Sequence, residues 1–195
     1  ALGVWPGRRD GGWPGGERRG VGTMIRRAGD VRCHHDRAGR VTTRRVAGAS
    51  GEDRVWRYSW DAEDRLVAVL DPDGGRWRYR YDGLGRRVAK QRLGEDDTVL
   101  AEETFVWDGV RLAEHVASDG RVTTWDWHPD RHQPVSQVQR EPSGGRPSGD
   151  VGGDADEQDW FDVEFYAIVT DLIGTPTELV DDAGQVVWHS RTTLW

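Results

Sequence analysis

Four residues that can bind metal ions follow one another in a single run, Cys33-His34-His35-Asp36. Thiolate, imidazole and carboxylate groups are the usual ligands of zinc, which takes three or four of them. Neighbouring side chains of a strand point to opposite faces, so at most two of these residues could reach one ion. We therefore expect the run to have a structural role and predict no metal site there.

Two further groups have side chains suited to a cation. His128 and His132 lie four residues apart, but a proline follows His128 and no third ligand is close in sequence. An EF-hand loop that begins at Asp154 would need glycine at its sixth position and glutamate at its twelfth, where the chain has Asp159 and Phe165. The acidic residues of this stretch are Asp150, Asp154, Asp156, Glu157 and Asp159. We predict a solvated linker and no metal.

The sequence contains none of the common signatures of an enzyme. There is no nucleophile elbow, no P-loop and no Gly-x-Gly-x-x-Gly motif before a helix, so we predict no catalytic residue and no cofactor. No apolar run is long enough for a transmembrane helix, and no charged-then-apolar signal peptide opens the chain. Cys33 is the only cysteine, which excludes an intrachain disulfide.

The clearest structural pattern runs from Arg76 to Val88. Three aromatic residues, Trp77, Tyr79 and Tyr81, alternate with three arginines. Since a strand has a side-chain period of two, this alternation predicts a strand with an aromatic face and a guanidinium face. Residues 82–85, Asp-Gly-Leu-Gly, then provide the residues that a tight turn needs. The stretch therefore predicts a β-hairpin.

The same arrangement recurs along the chain. Its other copies are Trp56, Tyr58 and Trp60 before Asp61, Phe105 and Trp107 before Asp108, and Trp125 and Trp127 before His128. The aspartates at 36, 61, 82 and 108 are separated by 25, 21 and 26 residues, a period typical of stacked supersecondary repeats. Helical spacing is absent from these segments. We predict an all-β array of antiparallel hairpins.

In this array, we expect the aromatic side chains of successive hairpins to stack, with Trp60, Tyr81 and Trp107 as the main contacts. The turn residues Asp61, Asp82, Asp108, Gly83 and Gly85 are expected to fix the register of the hairpins. Buried aromatic residues would supply a core despite a hydrophobic fraction of only 35%, because the chain has 11 tryptophans.

Composition divides the chain into four segments. Residues 1–21 are predicted to be disordered or a damaged repeat, residues 22–139 form the hairpin array, and residues 140–159 form a flexible linker. Residues 160–195 resume the strands, with turns at 174–176 and 181–184. The chain stops at Trp195 without a capping unit, so we expect a truncated array that is poorly soluble or partly unfolded when isolated.

Charge is distributed unevenly. Residues 1–48 carry 11 arginines and 4 acids, a net +7, which leaves −14 for the remainder and −7 overall. Arginines can contact phosphates, but the aromatic residues that would stack on bases lie on the opposite face, so we predict no nucleic-acid partner. A surface of exposed tryptophans could instead bind glycans or a partner chain, which is the alternative function.

Residues 79–86, Tyr-Arg-Tyr-Asp-Gly-Leu-Gly-Arg, and the weaker copies at 58–66 and 105–108 resemble the YD repeats of RHS proteins. Residues 171–188 resemble the beginning of the RHS repeat-associated core, with Asp171, Gly174, Thr175, Pro176, Gly184 and Trp188 as matching positions. The family usually has histidine where this chain has Leu172. The resemblance covers roughly residues 22–139 and 163–195.

The resemblance implies a role as well as a fold. In this family the repeats build a hollow β-cage that encloses a C-terminal toxin, and the core ends in a segment where the chain cuts itself. Neither that segment nor a toxin is present, so no catalytic residue is carried over. The expected partners are the rest of the shell and a toxin cargo. The expected location is outside the cell or at its surface, as part of a larger exported bacterial protein without membrane insertion.

Overall fold

The computed structural model describes residues 18–21, 24–48, 51–142 and 160–190. Every regular element in this part of the chain is a β-strand, which confirms the predicted all-β fold. It therefore contains no helix that could span a membrane. The chain forms two compact units, the first ending at Glu102 and the second comprising Glu103–Thr192.

The first unit contains eight strands in sequence order, each paired antiparallel with the next. They are β1 (Arg18–Val21), β2 (Met24–Ala28), β3 (Val31–His35), β4 (Val41–Val46), β5 (Arg54–Trp60), β6 (Leu66–Leu70), β7 (Arg76–Tyr81) and β8 (Arg87–Leu93). Strand β9 (Val99–Asp108) begins in this unit and continues into the second.

The second unit repeats this antiparallel arrangement. Its remaining strands are β10 (Arg111–Val116), β11 (Val122–Trp127), β12 (Pro134–Pro142), β13 (Trp160–Thr170), β14 (Pro176–Val180) and β15 (Val186–His189). Strand β13 lies where the sequence predicts that the strands resume after residue 159. The turn predicted at residues 181–184 connects β14 and β15, whereas the turn predicted at 174–176 lies earlier, at 171–175, because Pro176 already begins β14.

Parts of the predicted segments are not described. Residues 1–17 and 143–159, including the acidic candidates for calcium binding, lie outside the described residues, as does the end of the chain from residue 191. Where the predicted N-terminal segment and linker are described, both contain strand. Residues 18–21 form β1, and β12 continues to Pro142.

Hairpin register is set where each strand enters its turn. In three hairpins of the first unit the pairing shifts by one residue just before the turn aspartate, between His34 and His35, Ser59 and Trp60, and Arg80 and Tyr81. The turn then ends on a residue with positive φ, which is 77° at Gly85. This combination is the bulged hairpin that a three-residue loop requires.

Few apolar side chains are buried in either unit. In the first unit the buried apolar side chains are Ala28, Val31, Val69, Tyr79 and Ala89, and in the second it is Phe105. Among the described residues no large side chain is completely buried. Sheets of this kind depend on cross-strand contacts rather than on a deep core, so the side chains at the turns and between hairpins contribute more to stability.

Candidate functional site

The turn at Asp82 contains the repeated structural site in its simplest form. The Asp82 carboxylate accepts hydrogen bonds through Oδ1 from the amides of Leu84 and Arg86, each at 2.9 Å. Its Oδ2 accepts from Nε of Arg86 at 2.6 Å. The backbone closes the same loop, since the amide of Asp82 donates to the carbonyl oxygen of Arg86 at 3.0 Å. One aspartate thus holds both the turn and the arginine that follows it.

Five other turns have the same carboxylate geometry, with Oδ1 accepting the amides two and four residues later. They begin at Asp36, Asp61, Asp71, Asp171 and Asp181. Two of these turns also have an arginine at the position that Arg86 has in the Asp82 turn. Nε of Arg40 donates to Oδ2 of Asp36 at 2.7 Å, and Nε of Arg65 donates to Oδ2 of Asp61 at 2.6 Å. The spacing Asp-x-x-x-Arg therefore has a geometric reason in three of the turns.

These contacts change the acidity of the turn carboxyl groups. The amide of Arg40 lowers the pKa of Asp36, and the Arg40 guanidinium adds to this effect against the opposing influence of desolvation. At Asp61 and Asp82 desolvation alone would raise the pKa, but the amide and guanidinium hydrogen bonds outweigh it, so the net pKa is lowered. The carboxylates are therefore held in their charged form.

Two predicted turn positions differ from this pattern. His128 begins a turn in which its ring Nδ1 accepts the amide of Asp130 at 3.1 Å, so an imidazole replaces the carboxylate. Asp108 instead ends β9, opposite Arg111, across a turn in which Gly109 has a φ of 56°. The sequence placed Asp108 in the same role as Asp61 and Asp82, and its position is different because this turn is shorter.

The aromatic residue before the turn connects one hairpin to the preceding one. Nε1 of Trp60 donates to the carbonyl oxygen of Val41, and the hydroxyl of Tyr81 donates to that of Leu66, both at 2.8 Å. In the second unit, Nε1 of Trp127 donates to the Leu112 carbonyl oxygen, also at 2.8 Å. The sequence predicts ring-on-ring stacking between hairpins. At these three residues the polar atom of the ring bonds the backbone at the start of the preceding hairpin's second strand, and the ring of Trp127 also contacts that of His132, with ring centres 4.9 Å apart.

Arginines provide a second connection between hairpins. One guanidinium nitrogen of Arg40 donates to the Asp61 carbonyl oxygen at 2.9 Å and to Oδ1 of Asp64 at 2.8 Å, so the first turn binds the next. In the second unit, Arg111 donates to the carbonyl oxygens of Pro129 and Arg131. Because each acceptor belongs to a neighbouring turn, and three of the four are backbone carbonyl oxygens, these contacts fix the spacing of neighbouring turns.

The aromatic face also carries cations, so the separation of aromatic and basic side chains that is predicted within a strand does not extend to the neighbouring strand. Arg44 lies over the ring of Trp56 and Lys90 over that of Trp77, each 4.7 Å from the ring centre. Alternation within one strand separates aromatic from basic side chains, but the register of the neighbouring strand decides what stands opposite. Arg44 and Trp56 are direct cross-strand partners.

The half-buried rings at the predicted repeat positions are those of Trp60, Tyr81 and Trp107, while Tyr79 and Phe105 are 8% and 6% exposed. Phe105 stacks on His115, with ring centres 4.8 Å apart. At the turn that contains Gly83, only Gly85 has positive φ, and a Cβ at Gly83 would have no atom within 4 Å.

The positions that resemble the repeat-associated core lie in the last two hairpins. Asp171 and Gly174 form the β13–β14 turn, the amide of Thr175 donates to Oδ1 of Asp171, and Pro176 begins β14. Gly184, with a φ of 77°, closes the next turn. The Trp188 side chain, on β15, is 38% exposed.

The Gly174 turn also approaches another turn of the same unit. A Cβ at Gly174 would lie 3.0 Å from the carbonyl oxygen of His132, and Nε2 of Gln133 donates to Oγ1 of Thr170 at 2.6 Å. Glycine is needed at this position both for its φ of 87° and for this close approach.

Sequence reasoning missed a polar row on the other face of the first unit. Nε of Arg78 donates to Oε1 of Gln91 at 2.7 Å, and Nε2 of Gln91 donates to Glu102 at 3.0 Å. Gln91 is only 4% exposed. The alternating pattern places Gln91 opposite Arg78 only once the hairpin register is known.

No group of three potential metal ligands is found among the described residues. Side chains in the run at residues 33–36 serve other purposes, since Asp36 binds its turn and Arg40. The Cys33 thiol is half-buried, and burial raises its pKa although Arg44 opposes this effect. The chemistry of the repeated site is therefore hydrogen bonding and ion pairing that hold hairpins together.

Comparisons with known proteins agree with this geometry. The family described as RHS Repeat matches residues 35–76 and 60–95, which contain the turns at Asp36, Asp61, Asp71 and Asp82. The family described as RHS protein matches residues 165–195. Both matches fall on segments in which the turn geometry is repeated.

Curated relatives are larger proteins. The chain is 32% identical over 169 residues to the probable deoxyribonuclease RhsA of Dickeya dadantii and 32% identical over 178 residues to the double-stranded DNA deaminase toxin A of Burkholderia cenocepacia. Each match covers 85% of this chain, which spans only 10% and 12% of the length of those relatives.

A solved structure has the same fold. The crystal structure of TcdB2-TccC3 superposes with a TM-score of 0.51 and 14% identity, covering 78% of this chain and 8% of that one. The family matches, the relatives and this fold together with the repeated turns lead to one assignment: the chain belongs to the RHS-repeat proteins.

Proposed function

We propose that this chain is a segment of the wall of an RHS β-shell that encloses a C-terminal toxin, and that it has no catalytic activity of its own. The observation that carries the proposal is the connection between hairpins. Trp60, Tyr81 and Arg40 each bond the backbone of a neighbouring hairpin, so the side chains that recur with the repeat are engaged in building the sheet.

Similarity to larger toxins supports the same role. The relatives are named as a nuclease and a deaminase, and this chain corresponds to about a tenth of their length. The hydrogen bonds and ion pairs of its repeated turns are explained by the fold. We therefore assign to this segment containment and delivery, in a protein exported from a bacterial cell, with the rest of the shell and the toxin as its partners.

The alternative, a glycan- or partner-binding module, needs tryptophans whose rings and N–H groups are available to a ligand. The indole N–H groups of Trp60 and Trp127 are already bound to backbone carbonyl oxygens, which favours the wall. Iodide quenching separates the two functions. A wall predicts tryptophan emission that is partly shielded and unchanged by added sugars, whereas a glycan site predicts strong quenching that sugars prevent.

Protease protection tests enclosure directly. We would tag the chain in the bacterium that makes it, purify it with any polypeptide attached, and digest the material with proteinase K. The wall predicts that attached polypeptide resists digestion, and that Asp82→Ala with Arg86→Ala makes it sensitive. The matched control neutralises Arg54 and Asp73, an exposed pair 3.4 Å apart, and should keep protection. If the attached polypeptide is digested equally fast in the unaltered protein and in both variants, enclosure is refuted.

A further inference from the structure

Strands β2 and β3 separate after a short stretch of pairing. Their register includes only Arg27 with Arg32 and Ala28 with Val31, although β2 begins at Met24. The outer halves of the two strands border a cleft of about 530 Å³ within the first unit. Adjacent residues such as Arg26 and Arg27 line this cleft, so side chains from both faces of the strand reach it.

The cleft is strongly basic. Arg26, Arg27 and Arg32 line it together with His34 and His35. Arg27 and Arg32 stand directly opposite each other, which places two like charges on neighbouring strands whose spacing is about 4.8 Å. Direct opposition of like charges is unfavourable unless an anion compensates it.

Carboxylates do not provide that compensation in the described part of the chain. Ion pairs of this unit involve Arg40, Arg45, Arg54, Arg65, Arg76 and Arg86. None of those found there involves Arg26, Arg27 or Arg32, and the side-chain bond of Arg27 is to the carbonyl oxygen of Gly29 at 3.4 Å. Asp36 borders the cleft, but both of its carboxylate oxygens are bound within its own turn and by Arg40.

We propose that the cleft between β2 and β3 binds a phosphate group through the guanidinium groups of Arg26, Arg27 and Arg32, with His34 and His35 at its border. Guanidinium groups bind phosphate oxygens through two parallel hydrogen bonds, a geometry that a lysine cannot reproduce. The site lies beyond the shell function and does not depend on it.

The phosphate has two possible sources, a small phosphate compound or the backbone of a nucleic acid. Pyrophosphate is the probe for the first source and a short oligothymidylate for the second. The second arm also tests the expectation from the sequence that nucleic acid is not a partner.

The test uses isothermal titration calorimetry on the 195-residue chain at low ionic strength. The variant Arg27→Gln/Arg32→Gln removes the opposed pair, and Arg57→Gln/Arg80→Gln is the matched control, because these arginines of β5 and β7 are exposed and the charge change is equal. We expect pyrophosphate to bind the natural chain and the first variant to lose at least about tenfold in affinity, with little change in the control. Arg32→Lys should bind more weakly than the natural chain while keeping the charge.

Thermal unfolding controls for damage to the fold. Pyrophosphate should raise the melting temperature of the natural chain and the control but not that of Arg27→Gln/Arg32→Gln, which should melt no lower than the natural chain without ligand. Displacement of pyrophosphate by the oligonucleotide would assign the site to nucleic-acid phosphates, and lack of displacement to a small compound. Absence of pyrophosphate binding, or equal loss in both double variants, would overturn the proposal.

Discussion

The hydroxyl of Tyr81 donates a hydrogen bond to the carbonyl oxygen of Leu66, 15 residues earlier in the chain, at 2.8 Å. Trp127 and Leu112 repeat this relationship at the same distance and the same separation in sequence. Both donors immediately precede a turn, and both acceptors lie near the start of the return strand of the preceding hairpin. The repeat is therefore a unit of hydrogen bonding between hairpins as well as a unit of sequence.

Removing this hydroxyl should weaken the connection without removing the ring. We expect Tyr81→Phe to lower the free energy of unfolding by about 1 kcal/mol, the usual net contribution of one such bond. Urea denaturation followed by tryptophan fluorescence measures the change. The control is Tyr166→Phe, whose hydroxyl bonds Glu164 on the same strand, so a smaller effect is expected there. Equal losses of unfolding free energy in the two variants would show that the bond between hairpins stabilises the chain no more than a bond within one strand.

Glycine is required at only one of the two glycine positions in the Asp82 turn. Gly85 has a φ of 77°, so Gly85→Ala should destabilise the chain by about 1 kcal/mol. Gly83 lacks this conformation and has open space for a Cβ, so Gly83→Ala should be neutral or slightly stabilising. Melting temperatures of the two variants test the pair, and a larger loss for Gly83→Ala would contradict the turn geometry.

The single cysteine provides a chemical measure of burial in the first unit. Because burial raises the pKa of the half-buried Cys33 thiol, little reactive thiolate should be present at neutral pH. We expect Ellman's reagent to react with the folded chain several-fold more slowly than with the same chain in urea. Comparable rates in the two conditions would show that the strand around Cys33 is open.

Much of the fold could be predicted because its signals are local. The alternation of Trp77, Tyr79 and Tyr81 identifies β7, and Asp82 with Gly85 identifies the turn after it. Backbone preferences of individual residues determine these features, so no knowledge of distant contacts is needed. The repeat period then predicts the order of the strands.

The contacts between hairpins could not be predicted because they depend on register. The alternating sequence pattern predicts on which face of β7 the Tyr81 ring lies. Only the paired structure shows that the carbonyl oxygen of Leu66 accepts its hydrogen bond. The cleft beside Arg27 has the same origin, since the sequence contains two suitable strands and no sign that they diverge. At Asp108 the local pattern itself is misleading. The aromatic residues before it match the repeat, but the turn that follows has a different length.

The turn aspartates should make stability depend on pH in the acid range. Their pKa values are lowered in the folded chain, so their contribution is complete above the ordinary carboxyl pKa of about 3.9 and is lost as the pH falls through the folded values. We expect the free energy of unfolding to decrease steadily from about pH 5 downward. Urea denaturation at a series of pH values measures this slope.

Neutralising the three turn carboxylates should flatten that slope. The variant Asp36→Asn/Asp61→Asn/Asp82→Asn cannot titrate at these positions, and it should be less stable at neutral pH because each arginine loses a charged partner. A control that neutralises the more exposed acids Asp53, Asp73 and Glu95 has the same charge change and should keep the steep acid dependence. If the control is flattened as much as the turn variant, general charge repulsion, and not the turn geometry, governs acid unfolding.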